Sequence, residues 1–171
     1  ITNEYSNSIS QLLRYRNDSI LITSKTLNID NPRLDCRIEG LSNYSPKRII
    51  LDRNLSIKKN SYIFKTSNKK NTIIFYNKSP RKKFNLLYKK GVKLIQFDTN
   101  NKNFFNLKLV LKKIYSLGCR NLLVEGGKTL TSSFLKHKIF NQFYLFQSSN
   151  KFGKTAKLNV YSELNQLSYK Y

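Results

Sequence analysis

The chain has no methionine and no tryptophan, one histidine, two cysteines, three prolines and six glycines among 171 residues. Each scarcity removes a class of explanation. Cys36 and Cys119 lie far apart and form neither a C-x-x-C pair nor a cysteine–histidine cluster, which speaks against a disulfide framework or a zinc site, so no metal is expected. His137, on a lysine-rich helix end, reads as a surface or capping residue. No apolar run approaches the roughly 18 residues of a membrane-spanning helix, and the N-terminus shows no signal-like apolar stretch. A soluble, cytoplasmic protein is the resulting expectation.

Acidic residues are scarce too, nine against 32 basic ones, for a formal net charge of +23. Such a charge suits nucleic acid or an acidic membrane surface. Only eight of the 32 are arginine, however, and the chain is crowded with Asn, Ile, Phe and Tyr. That pattern fits codons rich in A and T, and lysine is the less apt residue for forked phosphate recognition. Compositional drift is the preferred reading, with salt-dependent nucleic-acid binding as the lesser one.

The length suits one domain, residues 1–171, able to bury a sizeable core. After Thr2, a plausible N-cap, Tyr5, Ile9, Leu12 and Leu13 recur at helical spacing, predicting a helix over 3–16. Strands are expected at 19–23, 48–51, 61–65, 72–76, 92–97, 122–124 and 142–146. Residues 84–90 suit one or two helical turns. Leu107, Val110, Leu111, Ile114 and Leu117 predict a further helix stopped by Gly118, and 128–138 another. Strands alternating with helices imply an α/β fold with a mostly parallel central sheet and helices on both faces.

Two segments carry the chemistry. The strand Leu122-Leu123-Val124 runs into Glu125-Gly126-Gly127-Lys128-Thr129-Leu130, where glycines let backbone approach a ligand and the following helix start presents N–H groups suited to phosphate. It is not a nucleoside-triphosphate P-loop, because Leu122 stands where that pattern needs a glycine. Upstream, the segment from Thr26 through Asp30-Asn31-Pro32-Arg33-Leu34 to Arg37 reads as a loop beyond the carboxyl end of a strand, where open α/β sheets place ligands. Arg14, at the end of the first helix, either reaches that loop or caps its own helix.

In order and spacing these segments, with Ile1-Thr2, Arg14 and Ile20-Leu21-Ile22, resemble the reductase domain of RibD-type riboflavin biosynthesis proteins. The resemblance implies a dihydrofolate-reductase-like fold and NADPH-dependent reduction of 5-amino-6-(5-phosphoribosylamino)uracil to its ribitylamino form. By motif it places Arg14, Leu34, Arg37 and Glu125 at substrate positions. Arg14 and Arg37 would serve the substrate phosphate, and Glu125 the ribose hydroxyls or a cationic imine. Thr26 and Asp30 fall beside the nicotinamide, which makes Asp30 and Glu125 the expected catalytic pair. Gly127, Lys128, Thr129, Leu130, Thr131, Ser132 and Ser133 would wrap the cofactor phosphates.

The chain departs from the family in three ways. Arg53 stands where a small hydroxyl residue is usual, and it would suit the 2′-phosphate of NADPH. The family's strand upstream of Ile1 is missing, as is the zinc deaminase domain that commonly precedes it, so a fragment of a longer protein is expected, with little activity until upstream residues are restored. The segment 147–171 lacks a recognisable closing strand. The resemblance also suggests a homodimer. The alternatives are a related reductase of the same fold acting on another pyrimidine or pterin, and a basic RNA-binding module centred on 59–70 with Tyr62 and Phe64.

Overall fold

The computed structural model describes residues 4–146. Five strands form one sheet in the order β4-β3-β2-β1-β5. They are β1 (Ser19–Thr23), β2 (Lys47–Leu51), β3 (Thr72–Tyr76), β4 (Lys93–Gln96) and β5 (Leu122–Val124), and every neighbouring pair is parallel. The central strands are buried on both faces, which is why they read as unbroken runs such as Ile20-Leu21-Ile22 rather than as an alternation. Ile20, Ile22, Ile50 and Ile74 face a core built with Leu27, Leu34, Ile63 and Leu87. Leu21, Ile49, Ile73 and Phe75 face the opposite core with Val110, Ile114, Leu130 and Phe134.

The helices are α1 (Glu4–Arg16), α2 (Ser24–Asp30), α3 (Tyr62–Thr66), α4 (Arg81–Lys89), α5 (Leu107–Ser116) and α6 (Lys128–His137). Three expectations need correction. The segment after β1 is not a loop from its start, because Thr23 caps α2 through its side chain and Asn31 closes it in the left-handed region. The strand expected at 61–65 is helix α3. Its Ile-Phe content imitates a strand, but the Ser61 side chain accepts a hydrogen bond from Phe64 N at 3.3 Å and starts a helical turn. Residues 142–146 are irregular and exposed, with no ladder partner among the described residues. The segment 147–171, where no closing strand is recognisable in the sequence, lies outside the described residues.

Helix α1 has the expected period but presents a different face. Tyr5 and Leu12 are exposed, while Gln11 and Leu13 are buried. A polar side chain therefore occupies a core-facing position.

Strands β2, β3 and β4 step outward on one side of β1, and the chain then returns to place β5 on the other. The order reverses between β1 and β5, so their carboxyl ends bound the crevice where open parallel sheets hold ligands. The edge beside it is held by Asp52, which is 1% exposed. Its Oδ1 accepts from Ser56 N and Ser56 Oγ, both at 2.8 Å, and its Oδ2 accepts from Ile57 N at 2.8 Å. Hydrogen bonds to a buried charge contribute about 1.5–3 kcal/mol each in mutational series. Asp52→Ala is expected to lower stability by on the order of 3 kcal/mol in denaturant unfolding, and a loss below about 0.5 kcal/mol, typical of an inert surface change, would show that the loop holds itself.

Candidate active site

On the face carrying α2 and α3, Arg14 and Glu125 meet across 111 positions of sequence. Arg14 Nε donates to Glu125 Oε1 at 2.8 Å and NH2 donates to Oε2 at 2.9 Å, a two-pronged pair. Two local rules put them there: Arg14 closes the last turn of α1, and Glu125 N extends the β1–β5 ladder by donating to Leu21 O at 3.1 Å. Burial opposes the guanidinium charge, but the hydrogen bonds and charge of Glu125 outweigh it, leaving the Arg14 pKa raised. The third Arg14 contact, NH1 to Asp35 O at 3.4 Å, ties the helix to the loop after α2. Arg14 thus both reaches that loop and spends its fork on Glu125.

Asp35 is the organiser of this loop. Its Oδ2 takes Arg33 Nε at 3.0 Å and its Oδ1 takes Arg37 NH1 at 3.4 Å. Arg33 lies 4.9 Å from the centre of the Tyr62 ring, and its pKa is raised chiefly by the Asp35 charge. The Arg37 backbone N–H donates to Gln11 Oε1 at 2.8 Å, while its side chain remains 41% exposed. Nearby Arg48 is buried, donating to Thr66 Oγ1 and Thr66 O; burial lowers its pKa, opposed by Tyr62 and Asp35. Leu34, at φ +57°, is fully buried in the core, so it can offer a ligand backbone only.

A cavity of about 780 Å³ opens on the other side of the crevice. Its wall joins Thr23 and Ser24 at the end of β1, Leu51, Asp52 and Arg53 at the end of β2, Thr129, Leu130 and Ser133 of α6, a loop carrying Asn103 and Phe104, and Lys108 in the first turn of α5. Asp52 is satisfied by its own loop, so Lys25, Arg53 and Lys108 set the charge of the rim and make it cationic. Arg53 NH1 donates to Asn103 O at 2.9 Å, bracing that loop.

The glycines divide the work. A Cβ on Gly126 would stand 2.8 Å from Leu130 Cβ, so only glycine lets α6 seat on the strand end. A Cβ on Gly127 would stand 3.3 Å from Thr26 Oγ1, which brings the two expected cofactor segments together. Gly127 is the N-cap of α6 and supplies no side-chain acceptor, so the first N–H groups of the helix stay open to a guest. The other residues expected at the cofactor are spread. Lys128 is exposed, the Thr131 hydroxyl turns back to Gly126 O at 3.1 Å, and Ser132 Oγ is buried without a partner among the described residues. Asp30 ends α2, exposed, and does not line the cavity.

The sequence assigns no site role to Gln11, Asp35, Lys25 or Lys108, and gives Tyr62 a part only in the RNA-binding alternative. Gln11 carried a usable signal, because it sits three residues before Arg14 and shares its helical side.

An open parallel sheet with helices on both faces and a ligand crevice at the β1/β5 reversal defines a doubly wound α/β protein. Residues 1–169 match the RibD C-terminal domain family, and the chain belongs to that family. It is 30% identical over 154 residues to the riboflavin biosynthesis protein RibD of Aquifex aeolicus, an alignment covering 90% of this chain and 41% of that protein. A 5-amino-6-(5-phosphoribosylamino)uracil reductase of Buchnera aphidicola is 27% identical, covering 100% of this chain and 87% of that one. Among solved structures, Acinetobacter baumannii RibD superposes with a TM-score of 0.66 at 21% identity, covering 92% of this chain and 45% of that chain. The riboflavin biosynthesis reductase Rib7 of Saccharomyces cerevisiae gives 0.61 at 21% identity, covering 78% and 58%. These similarities establish the dihydrofolate-reductase-like fold. The chain spans about two-fifths of the Aquifex aeolicus relative it matches.

Proposed function

We propose that the chain is the reductase part of a riboflavin biosynthesis protein, reducing 5-amino-6-(5-phosphoribosylamino)uracil with NADPH to the ribitylamino product. The observation that carries this reading is the division of the β1/β5 crevice into two half-sites. One is the Arg14–Glu125 pair beside Arg37, and the other is the cationic cavity above α6. Thr26 faces Gly127, the N-cap of the helix whose Thr129, Leu130 and Ser133 line that cavity.

The cavity fits a phosphorylated dinucleotide on three grounds: its rim is basic, the α6 N-terminus is uncapped, and Gly127 permits close backbone approach. NADPH would supply a hydride to C1 of the ring-opened, imine form of the substrate sugar. Each Glu125 oxygen accepts one Arg14 hydrogen bond and keeps a lone pair, so the carboxylate can still take a ribose hydroxyl or face an iminium charge. Arg14 holds Glu125 oriented, and Arg37, which meets Asp35 through NH1 and keeps its side chain 41% exposed, is the arginine that can turn to the substrate phosphate.

The RNA-binding alternative loses its structural basis among the described residues. Phe64 is buried and Tyr62 carries Arg33 on its ring, so neither belongs to an exposed aromatic strand.

Gly127→Val tests the cofactor half. A branched side chain would crowd both Thr26 and the guest, and NADPH affinity measured by calorimetry is expected to fall at least tenfold in a folded protein. Unchanged affinity would remove α6 from the cofactor site. Arg53→Ser tests the choice of cofactor. A charge-assisted contact to a 2′-phosphate is worth about 1.5–3 kcal/mol before screening at an exposed site reduces it. NADPH binding should therefore weaken more than NADH binding, and equal losses would leave Arg53 as a brace for Asn103 alone.

A further inference from the structure

Gln11 is a buried polar side chain of α1 that meets the substrate half-site at the Arg37 backbone. Its residue is 8% exposed, its Oε1 accepts the Arg37 N–H at 2.8 Å, and its Nε2 is buried with no hydrogen-bond partner among the described residues. Exchanging the two ends of the carboxamide does not relieve this, because Nε2 would then meet the Arg37 N–H, donor against donor. A buried donor left without an acceptor is destabilising. The helix also has exposed Leu12 next door that an ordinary core-facing position would have used. The placement of Gln11 therefore calls for an acceptor.

The surroundings say which kind. Arg37 and Arg33 share the single carboxylate of Asp35, and Arg48 is buried with only neutral hydrogen-bond partners. Arg14, expected to help bind the phosphate, has its fork filled by Glu125. The phosphate half of the site is then one forked donor short, and Gln11 stands against the backbone of the arginine that remains. We infer that Gln11 is a binding residue for the phosphomonoester of the substrate, donating from Nε2 to a phosphate oxygen while its Oε1 fixes Arg37 beside the same group. Reaching the ligand takes a small opening of the 34–37 loop away from α1, since Nε2 is covered.

This inference rests on the phosphorylated-substrate reading above, and its test separates the two. Ribose 5-phosphate and ribose are titrated into the full chain by calorimetry, with NADPH titrated in parallel. The wild-type protein should bind the phosphate ester and not the bare sugar. Gln11→Leu removes both donor and acceptor and should weaken ribose 5-phosphate at least tenfold with NADPH unaffected. Gln11→Glu keeps the acceptor for Arg37 but replaces the donor with an anion, so it should bind at least as poorly as Gln11→Leu. Should Gln11→Leu fail to fold, the glutamate variant decides alone, with circular dichroism as the folding check. Near wild-type binding by Gln11→Glu would show that Gln11 only supports Arg37 and would overturn the inference. So would a wild-type chain that binds no phosphate ester, whereas the NADPH titration judges the reductase reading on its own.

Discussion

Truncating Glu125 to alanine is expected to produce a protein about 2–3 kcal/mol less stable, with its affinity for ribose 5-phosphate reduced more than tenfold. The stability loss follows from Arg14, whose side chain is 12% exposed and would keep its charge with Asp35 O as its remaining acceptor. Stranding one partner of a fully buried pair costs about 3–5 kcal/mol, and the figure is set lower here because Glu125 keeps 30% of its side chain in solvent. The binding loss has a separate origin, since the carboxylate that would take a ribose hydroxyl is gone while Arg14 keeps its contact to Asp35 O. The double variant Arg14→Met, Glu125→Leu distinguishes the two effects. Replacing an ion pair by packed apolar side chains is often neutral for stability, so unfolding should return towards wild type while binding stays lost. Recovery of both would mean that the pair is structural cement without a part in ligand recognition.

Gly126→Val should have the second large effect, and of a different kind from Gly127→Val. Its Cβ would overlap Leu130 Cβ at 2.8 Å and Leu130 Cδ2 at 2.9 Å. These are atoms of a buried side chain in the second core, so relief requires α6 to move as a body. Overpacking of this sort costs about 1–3 kcal/mol, and the displaced helix start should cost NADPH at least tenfold in affinity. Gly127→Val, with its nearest neighbour a hydroxyl at 3.3 Å, should lose the cofactor without that loss of stability. Equal melting temperatures for the two variants would contradict the division of labour between adjacent glycines.

The parallel sheet was legible because β1, β3 and β5 carry the unbroken apolar runs Ile20-Leu21-Ile22, Ile73-Ile74-Phe75 and Leu122-Leu123-Val124, which suit a doubly covered strand. Helix α3 was not, because a five-residue Tyr-Ile-Phe segment has no period long enough to tell, and one serine cap decides it. Residues 142–146, Gln-Phe-Tyr-Leu-Phe, are aromatic and apolar enough for a strand, yet strand structure depends on a partner that local sequence does not contain. The individual site residues were legible through the family motifs, but their couplings were not. Nothing local joins Arg14 to Glu125, and the consequence that Arg14 is committed while Arg37 stays available appears only when α1 and β5 are placed side by side. Gln11 escaped for a related reason: the apolar stripe of α1 points to Leu12, and the fold turns the adjacent position inward instead.

On the proposed reading one crevice holds two independent half-sites, one for a phosphorylated sugar and one for a dinucleotide. It is tested most directly by titrating NADPH and ribose 5-phosphate, each alone, into Gly127→Val and Arg37→Ala. The expected result is a crossed pattern, in which Gly127→Val loses NADPH and keeps ribose 5-phosphate while Arg37→Ala loses ribose 5-phosphate and keeps NADPH. Loss of both ligands in either folded variant, or of neither in both, would contradict it.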